Sequence, residues 1–199
     1  MIRLLFFSIV VVLFTFTSCF KGNLIEEYYF TEDMYDQIPY EGNEIVTFLD
    51  NESDNIVFIG GERINELHKE TQCSNCDYYY TKTSRISFSN DSLSFAVSME
   101  ASSIYRFSII FVFDKAPFAC SFYRNLPLSN QNLSGSEIYL DSIVLNDQSY
   151  YNIFGDTLLT SKEETPIIFP VFCYYSTEYG VLKIDFSDNT SWELKSVEW

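Results

Sequence analysis

Short runs of alternating apolar and polar residues, separated by polar turns, dominate the chain after its N-terminal segment. The runs 45–49 and 56–59 flank the polar turn 50–55 and predict an antiparallel hairpin. The runs 85–88 and 93–97 flank a second polar turn and predict another. Further strands are predicted at 105–113, 118–123, 137–145 and 167–175, and the runs 181–186 and 192–194 predict a final hairpin.

Two segments depart from simple alternation. Ile110 to Phe113 is apolar throughout, so we expect this end of its strand to be covered on both faces. Segment 62–71 is ambiguous, because Ile64, Leu67 and His68 are spaced as on one helical face. Many short strands with polar turns nevertheless predict an all-β fold, either an antiparallel sandwich or a curled sheet.

One short helix is predicted near residues 31–37, ahead of the strands. Thr31 is a suitable N-cap, Glu32 and Asp33 favour the positive N-terminus, and Pro39 ends the segment. The aromatic and aliphatic residues between Phe20 and Phe30 predict that part of this segment packs on the body.

The first residues predict a targeting segment. Arg3 precedes an apolar run from Leu4 to Phe16, which is shorter than the roughly 20 residues of a membrane-spanning helix. A positive residue followed by a run of this length is typical of a signal peptide. A buried N-terminal helix or strand is the alternative.

The end of that run resembles a bacterial lipobox. Thr17 and Ser18 are the small residues expected before a cysteine that receives a diacylglycerol, here Cys19. Phe16 departs from the pattern, which usually has Leu, a variation that the Bacteroidota tolerate. The resemblance implies a signal peptide at 1–18 and a lipid-anchored segment at 19–43, and the strand pattern predicts a single β-rich domain at 44–199. An ordinary secretory signal is the alternative.

The body resembles small lipoproteins of the Bacteroidota. The matching stretches are Ile38-Pro39-Tyr40, Gly60-Gly61-Glu62-Arg63 and Tyr179-Gly180-Val181-Leu182-Lys183. This resemblance implies an envelope location and a β fold, and it implies no activity.

Composition limits the classes of function. The chain has 199 residues, 47% of them hydrophobic and 18% aromatic, which predicts one folded domain rather than disorder. Its 28 acidic and 12 basic residues give a net charge of −16, which argues against nucleic-acid binding. The polar turn 50–55 has the alternating oxygens of a calcium loop, but it lacks the required Gly and bidentate Glu. We therefore expect neither metal nor cofactor.

Catalytic motifs are absent from the sequence. His68 is the only histidine, so any histidine-dependent dyad or triad must use it. No nucleophile elbow, phosphate-binding loop or zinc-protease motif occurs. The sequence therefore predicts no enzyme. A hydrolase with two carboxylates distant in sequence ranks third among the functions considered.

Four cysteines follow Cys19. Cys73 and Cys76 form a C-x-x-C motif in a polar stretch that is followed by strand-forming residues, which favours a disulfide over a redox or metal site. Cys120 and Cys173 lie in apolar surroundings, so we expect both to be buried, and either reduced or paired with each other.

Clusters of tyrosine provide candidate binding aromatics. Since neighbouring residues of a strand point to opposite faces, each cluster should place a ring on both faces of the sheet. Either both faces are covered or some rings are exposed to bind sugars or a partner protein. The candidates are Tyr78, Tyr79, Tyr80, Tyr150, Tyr151, Tyr174 and Tyr175.

The sequence therefore predicts a lipid-anchored envelope protein that acts as a binding or structural module, with a protein or glycan as partner. The alternative is a carbohydrate- or peptide-binding subunit that works beside an outer-membrane transporter. Residues 20–23 lack the acidic residues that follow the lipidated cysteine in surface lipoproteins of the Bacteroidota. This difference favours the periplasmic side of the outer membrane.

Overall fold

A computed structural model describes residues 22–199, except 72–75, 91–92, 104, 114, 124–127, 129–132, 134 and 161–166. The predicted signal peptide, Cys19 and Cys73 lie outside the described residues, so those predictions stay predictions. The described part contains one helix, α1 (Glu32–Tyr35), and thirteen strands: β1 (Leu24–Glu27), β2 (Ile45–Leu49), β3 (Asn55–Gly60), β4 (Ile64–Thr71), β5 (Tyr78–Ser89), β6 (Ser94–Ala101), β7 (Arg106–Phe113), β8 (Ala116–Tyr123), β9 (Ile138–Leu145), β10 (Gln148–Thr157), β11 (Pro170–Ser176), β12 (Gly180–Phe186) and β13 (Ser191–Glu198).

The strands form one strongly curled, open sheet in the shape of a half-barrel. Its order is β8-β7-β6-β5-β3-β2-β13-β12-β11-β10-β9, and every pair along this path is antiparallel. The predicted all-β fold is confirmed, and of the two predicted architectures the curled sheet is the one found. Ala119 of the edge strand β8 exchanges two backbone hydrogen bonds with Leu159, which follows β10, so the curl brings distant strands together.

Strands β1 and β4 lie off this path and pair with the long strand β5. All eight residues of β4 pair in an unbroken antiparallel register with β5. Seven of these eight residues are exposed, so β4 is a projecting arm rather than part of the core. The helix-like spacing of segment 62–71 was thus compatible with a strand, because burial imposes no periodicity on an element that is exposed on both faces.

The N-terminal segment fills the hollow of the half-barrel. Phe30, Met34, Ile38 and Tyr40 are all buried in the main hydrophobic core. The predicted helix is confirmed but is only four residues long, and the expected capping is wrong. Thr31 makes no side-chain capping bond, and its backbone carbonyl accepts hydrogen bonds instead.

Arg63 fastens this segment to the sheet. Its guanidinium donates hydrogen bonds to the backbone carbonyls of Tyr35 at 3.1 Å and of Ile38 and Tyr40 at 3.4 Å. These carbonyls lie at and beyond the end of α1, where backbone acceptors lack partners within the helix. A single side chain, only 9% exposed, therefore satisfies three acceptors.

The C-terminal hairpin lies in the middle of the sheet, because β13 pairs with both β12 and β2. Its apolar side chains are buried, with Trp192 partly buried against the same core. The fully buried members are Val181, Leu182, Ile184, Phe186 and Leu194. The final hairpin expected from the sequence is thus confirmed as a core element.

Two strand expectations were wrong or incomplete. Val112 is 38% exposed and Ile110 is half-buried, so the apolar end of β7 is not covered on both faces. Strand β10 was not among the predicted strands. Its alternation is interrupted by Asn152, which has a φ of 55°, and by Gly155, which admits the ring of Phe172.

Candidate binding groove

A groove of about 470 Å³ runs over β4 to β7 on the face of the sheet that points away from the core. Most of its lining belongs to the outward-pointing set of each strand, because side chains alternate between the two faces. The projecting arm β4 forms one wall of the groove. The lining residues are Ile64, Glu66, His68, Thr83, Arg85, Ser87, Ser98, Met99, Glu100, Arg106, Ser108 and Ile110.

The strand register sets the groove residues in two rows. In one row Glu66, Thr83, Glu100 and Arg106 are successive cross-strand neighbours from β4 to β7. In the adjacent row Ile64, Arg85, Ser98 and Ser108 are neighbours in the same way. Charges of both signs and several hydroxyls therefore share one concave surface.

His68 lies in this groove, where its Nε2 atom meets two groups at once. Nε2 lies 3.1 Å from the Thr83 hydroxyl oxygen and 3.4 Å from a carboxylate oxygen of Glu66. A catalytic triad instead uses the two ring nitrogens separately, one for the nucleophile and one for the orienting carboxylate. The arrangement here is that of a polar contact network.

The two arginines of the groove differ in their partners. Arg106 forms an ion pair with Glu100 at 3.7 Å. Arg85 is exposed on β5 and forms no ion pair with any carboxylate of the described residues. The guanidinium of Arg85 is therefore available to an external anion.

Two glutamates also face the groove. Glu66 and Glu100 lie on either side of Thr83 in one row, which puts their backbones about 10 Å apart at the usual strand spacing. Their side chains are 57% and 37% exposed. Solvent therefore reaches both carboxylates.

The tyrosine clusters behave as alternation predicts, but they do not converge on one site. Tyr150 and Tyr175 are buried, while their neighbours Tyr151 and Tyr174 are 57% exposed and half-buried, respectively. Tyr174 lies opposite Gly155 on β10, four residues along that strand from Tyr151.

The third cluster lies at the start of β5, beside the end of the arm β4, and is remote from the other two clusters in the sheet order. The rings of Tyr78 and Tyr80 contact each other. The Nζ atom of Lys69 lies over the Tyr78 ring, 3.7 Å from the ring centroid. Tyr79 is 36% exposed and contacts Tyr28. None of the seven tyrosines lines the groove.

The cysteines fall into two groups. Cys76 is disulfide-bonded, but Cys73 lies outside the described residues, so the Cys73–Cys76 pairing stays a prediction. Cys120 and Cys173 are buried free thiols, as one of the two expected states requires. The two thiols contact each other between β8 and β11. Burial raises the pKa of the Cys173 thiol, and the contact with Cys120 raises it further.

The polar turn 50–55 forms a hairpin turn, as the sequence predicted. Asp50 Oδ1 accepts hydrogen bonds at 2.9 Å from the backbone N–H groups of Glu52 and Asp54. This oxygen therefore stabilises the turn. Among the described residues no group of three or more metal-ligating side chains occurs. No helix of the described part is long and apolar enough to cross a membrane.

Comparison with known proteins adds no family to this geometry: no family model, curated protein or solved structure matches the chain. The assignment of a function therefore depends on the groove and on the sequence.

Proposed function

We propose that this chain is a lipid-anchored binding module of the bacterial cell envelope, held on the periplasmic side of the outer membrane through Cys19. The apolar run before Cys19 and the lipobox-like residues Thr17 and Ser18 support the anchor. A net charge of −16 supports contact through a lipid rather than through a basic surface, because anionic headgroups repel such a body.

The observation that carries the binding role is the groove over β4 to β7. Its volume of about 470 Å³ is within the range of ligand sites, and its lining has the convergent polar groups that fix a ligand's orientation. Binding is favoured over catalysis because Glu66 and Thr83 share one nitrogen of His68. The ligand would be a segment of a protein or a glycan.

The anchor is tested with a Cys19→Ala variant. We expect this variant to accumulate as an uncleaved or mislocalised precursor that incorporates no labelled fatty acid, while a Cys120→Ala variant matures normally. A Cys19→Ala protein that matures to the wild-type size and sediments with membranes would contradict the anchor.

The groove is tested by photo-crosslinking in intact cells. A photoreactive residue at Ser98 lies in the groove, whereas the same residue at Lys195 is exposed on β13. We expect a discrete adduct from position 98 and none from position 195. An adduct that contains an outer-membrane transporter would support the narrower role of a transporter-associated subunit. Adducts from 195 alone would place the binding surface elsewhere.

A carboxylate-dependent hydrolase is the second candidate, favoured by Glu66 and Glu100 on the same concave surface. Inverting glycosidases use two carboxyl groups roughly 6.5–9.5 Å apart. If this candidate is correct, the purified protein hydrolyses a polysaccharide, and Glu66→Gln or Glu100→Gln abolishes turnover. A Glu52→Gln control, altered in the exposed turn 50–55, would retain it.

A further inference from the structure

We infer that the groove binds an extended acidic peptide and that Arg85 holds a carboxylate of that peptide; this inference rests on the binding function proposed above. Arg85 is the only arginine or lysine of the groove lining that has no ion-pair partner among the described residues. An arginine guanidinium matches a carboxylate with two parallel hydrogen bonds, which gives both affinity and orientation.

The local charge permits an anionic group at this place, because the groove is less acidic than the chain as a whole. The groove balances Arg85 and Arg106 against Glu66 and Glu100, whereas the whole chain carries 28 acidic against 12 basic residues. Glu100 is paired with Arg106 and Glu66 contacts His68, so neither glutamate of the groove forms an ion pair with Arg85. At physiological ionic strength distant acidic residues are screened within about 8 Å, so close contacts decide where a carboxylate binds.

The hydroxyls around Arg85 complete the anion site. Ser98 lies directly opposite Arg85 on β6, and Ser108 is the next residue along the same row. Thr83 and Ser87 flank Arg85 on β5, two positions away on the same face. A carboxylate that is bound by the Arg85 guanidinium can accept further hydrogen bonds from such hydroxyl groups.

Two features favour a peptide over a glycan. The groove lining described above contains no Phe, Tyr or Trp, so no broad aromatic face is available for a sugar ring. Strand β4, which forms one wall, pairs with β5 along one edge, and no described strand pairs with its other edge between Ile64 and Glu70. An extended peptide can satisfy its backbone hydrogen bonds at such an edge.

The test is a titration of the full-length protein in detergent with peptide and sugar probes. Binding is measured by NMR, from the chemical shifts of the backbone amides of Ser98 and Ser108. The probes are a capped pentapeptide with one central glutamate between β-branched residues, its glutamine twin and an oligogalacturonate. The protein variants are wild type, Arg85→Gln and, as a control with the same loss of charge outside the groove, Lys195→Gln on β13. Both side chains are exposed, so we expect both variants to fold.

We expect the glutamate peptide to shift both amides in wild type and in Lys195→Gln. Arg85→Gln, or the change from glutamate to glutamine in the peptide, should each weaken binding at least tenfold. The two changes together should cost no more than either alone, because each removes the same contact.

Two results would overturn the inference. The first is equal affinity of wild type and Arg85→Gln for the glutamate peptide; the second is binding of the oligogalacturonate but not of the peptide. Either result leaves the proposed binding function intact if the Ser98 crosslink still forms. If no probe binds and no crosslink forms from position 98, both the inference and the proposed binding function are contradicted.

Discussion

At the scale of single residues, the contact between Tyr40 and the first residues of β12 closely constrains the core. The Tyr40 hydroxyl oxygen accepts a hydrogen bond of 2.9 Å from the backbone N–H of Val181. Gly180 has a φ of +81°, and a Cβ atom built on it would lie 1.8 Å from that hydroxyl oxygen. The start of β12 thus depends on a residue without a side chain.

Gly180→Ala should therefore destabilise the protein by about 2–5 kcal/mol, from the cost of a left-handed alanine and from steric overlap. Gly135→Ala is a matched control, because Gly135 also has a positive φ, +65°, but no atom of the described residues lies within 4 Å of its Cβ position. It should cost only about 1–2 kcal/mol. Equal losses in chemical denaturation would show that the overlap with Tyr40 does not matter.

The buried tyrosines predict an alkaline limit to stability. Burial raises the pKa values of Tyr40 and Tyr175 above their ordinary value near 10. Below pH 10 both the folded and the unfolded states keep these protons. As the pH rises above 10, the unfolded state releases them first, so the free energy of unfolding falls by up to about 1.4 kcal/mol per pH unit for each group.

Absorbance of phenolate and circular dichroism, recorded on one pH titration, check this prediction. Ionisation of the last tyrosines should coincide with unfolding, and Tyr175→Phe should make the loss of stability above pH 10 shallower. Complete ionisation of all tyrosines in a protein that keeps its fold would contradict the prediction.

The thiols of Cys120 and Cys173 should resist modification in the native protein, since both are buried and burial raises the pKa of the Cys173 thiol. An alkylating reagent followed by mass spectrometry should label neither thiol natively and both after denaturation. Rapid native labelling of either would show that the gap between β8 and β11 opens readily.

At the scale of elements, the sequence pattern was enough to predict most strands and the partners within hairpins, but not the order in which the hairpins join the sheet. Strands β2 and β3, and strands β12 and β13, were predicted as hairpins because their apolar runs flank short polar turns. Strand β4 could not be distinguished from a helix, because pairing with β5, not burial, fixes its conformation.

Truncation after Ser176 tests the central position of the last hairpin. It removes β12 and β13, and with them five fully buried side chains that contribute roughly 1.5–3 kcal/mol each. The total is comparable to the whole stability of a typical domain, about 5–15 kcal/mol. We expect the truncated chain to lose its cooperative thermal transition. A transition at an unchanged temperature would mean that the sheet holds without its centre.

At the scale of the whole molecule, the groove could not be predicted from the sequence. Thr83, Arg85 and Ser87 alternate as on any solvent-facing strand, and nothing in that pattern shows that β4 rises beside them. The groove depends on the register of four strands and on the projection of the arm, which are long-range properties. The tyrosine clusters were predicted as candidate binding aromatics, but they line no common site in the described part of the chain.

The most direct test of the account is carboxyl footprinting of the groove in intact envelopes. Glu66 and Glu100 line the groove, while Glu52 is exposed in the turn 50–55 and serves as the internal reference. Labelling is compared between intact envelopes and the purified protein. If the groove is occupied in the envelope, Glu66 and Glu100 will be protected there and labelled after purification, with Glu52 labelled equally in both. Equal labelling of all three glutamates in both preparations would contradict a binding role for the groove.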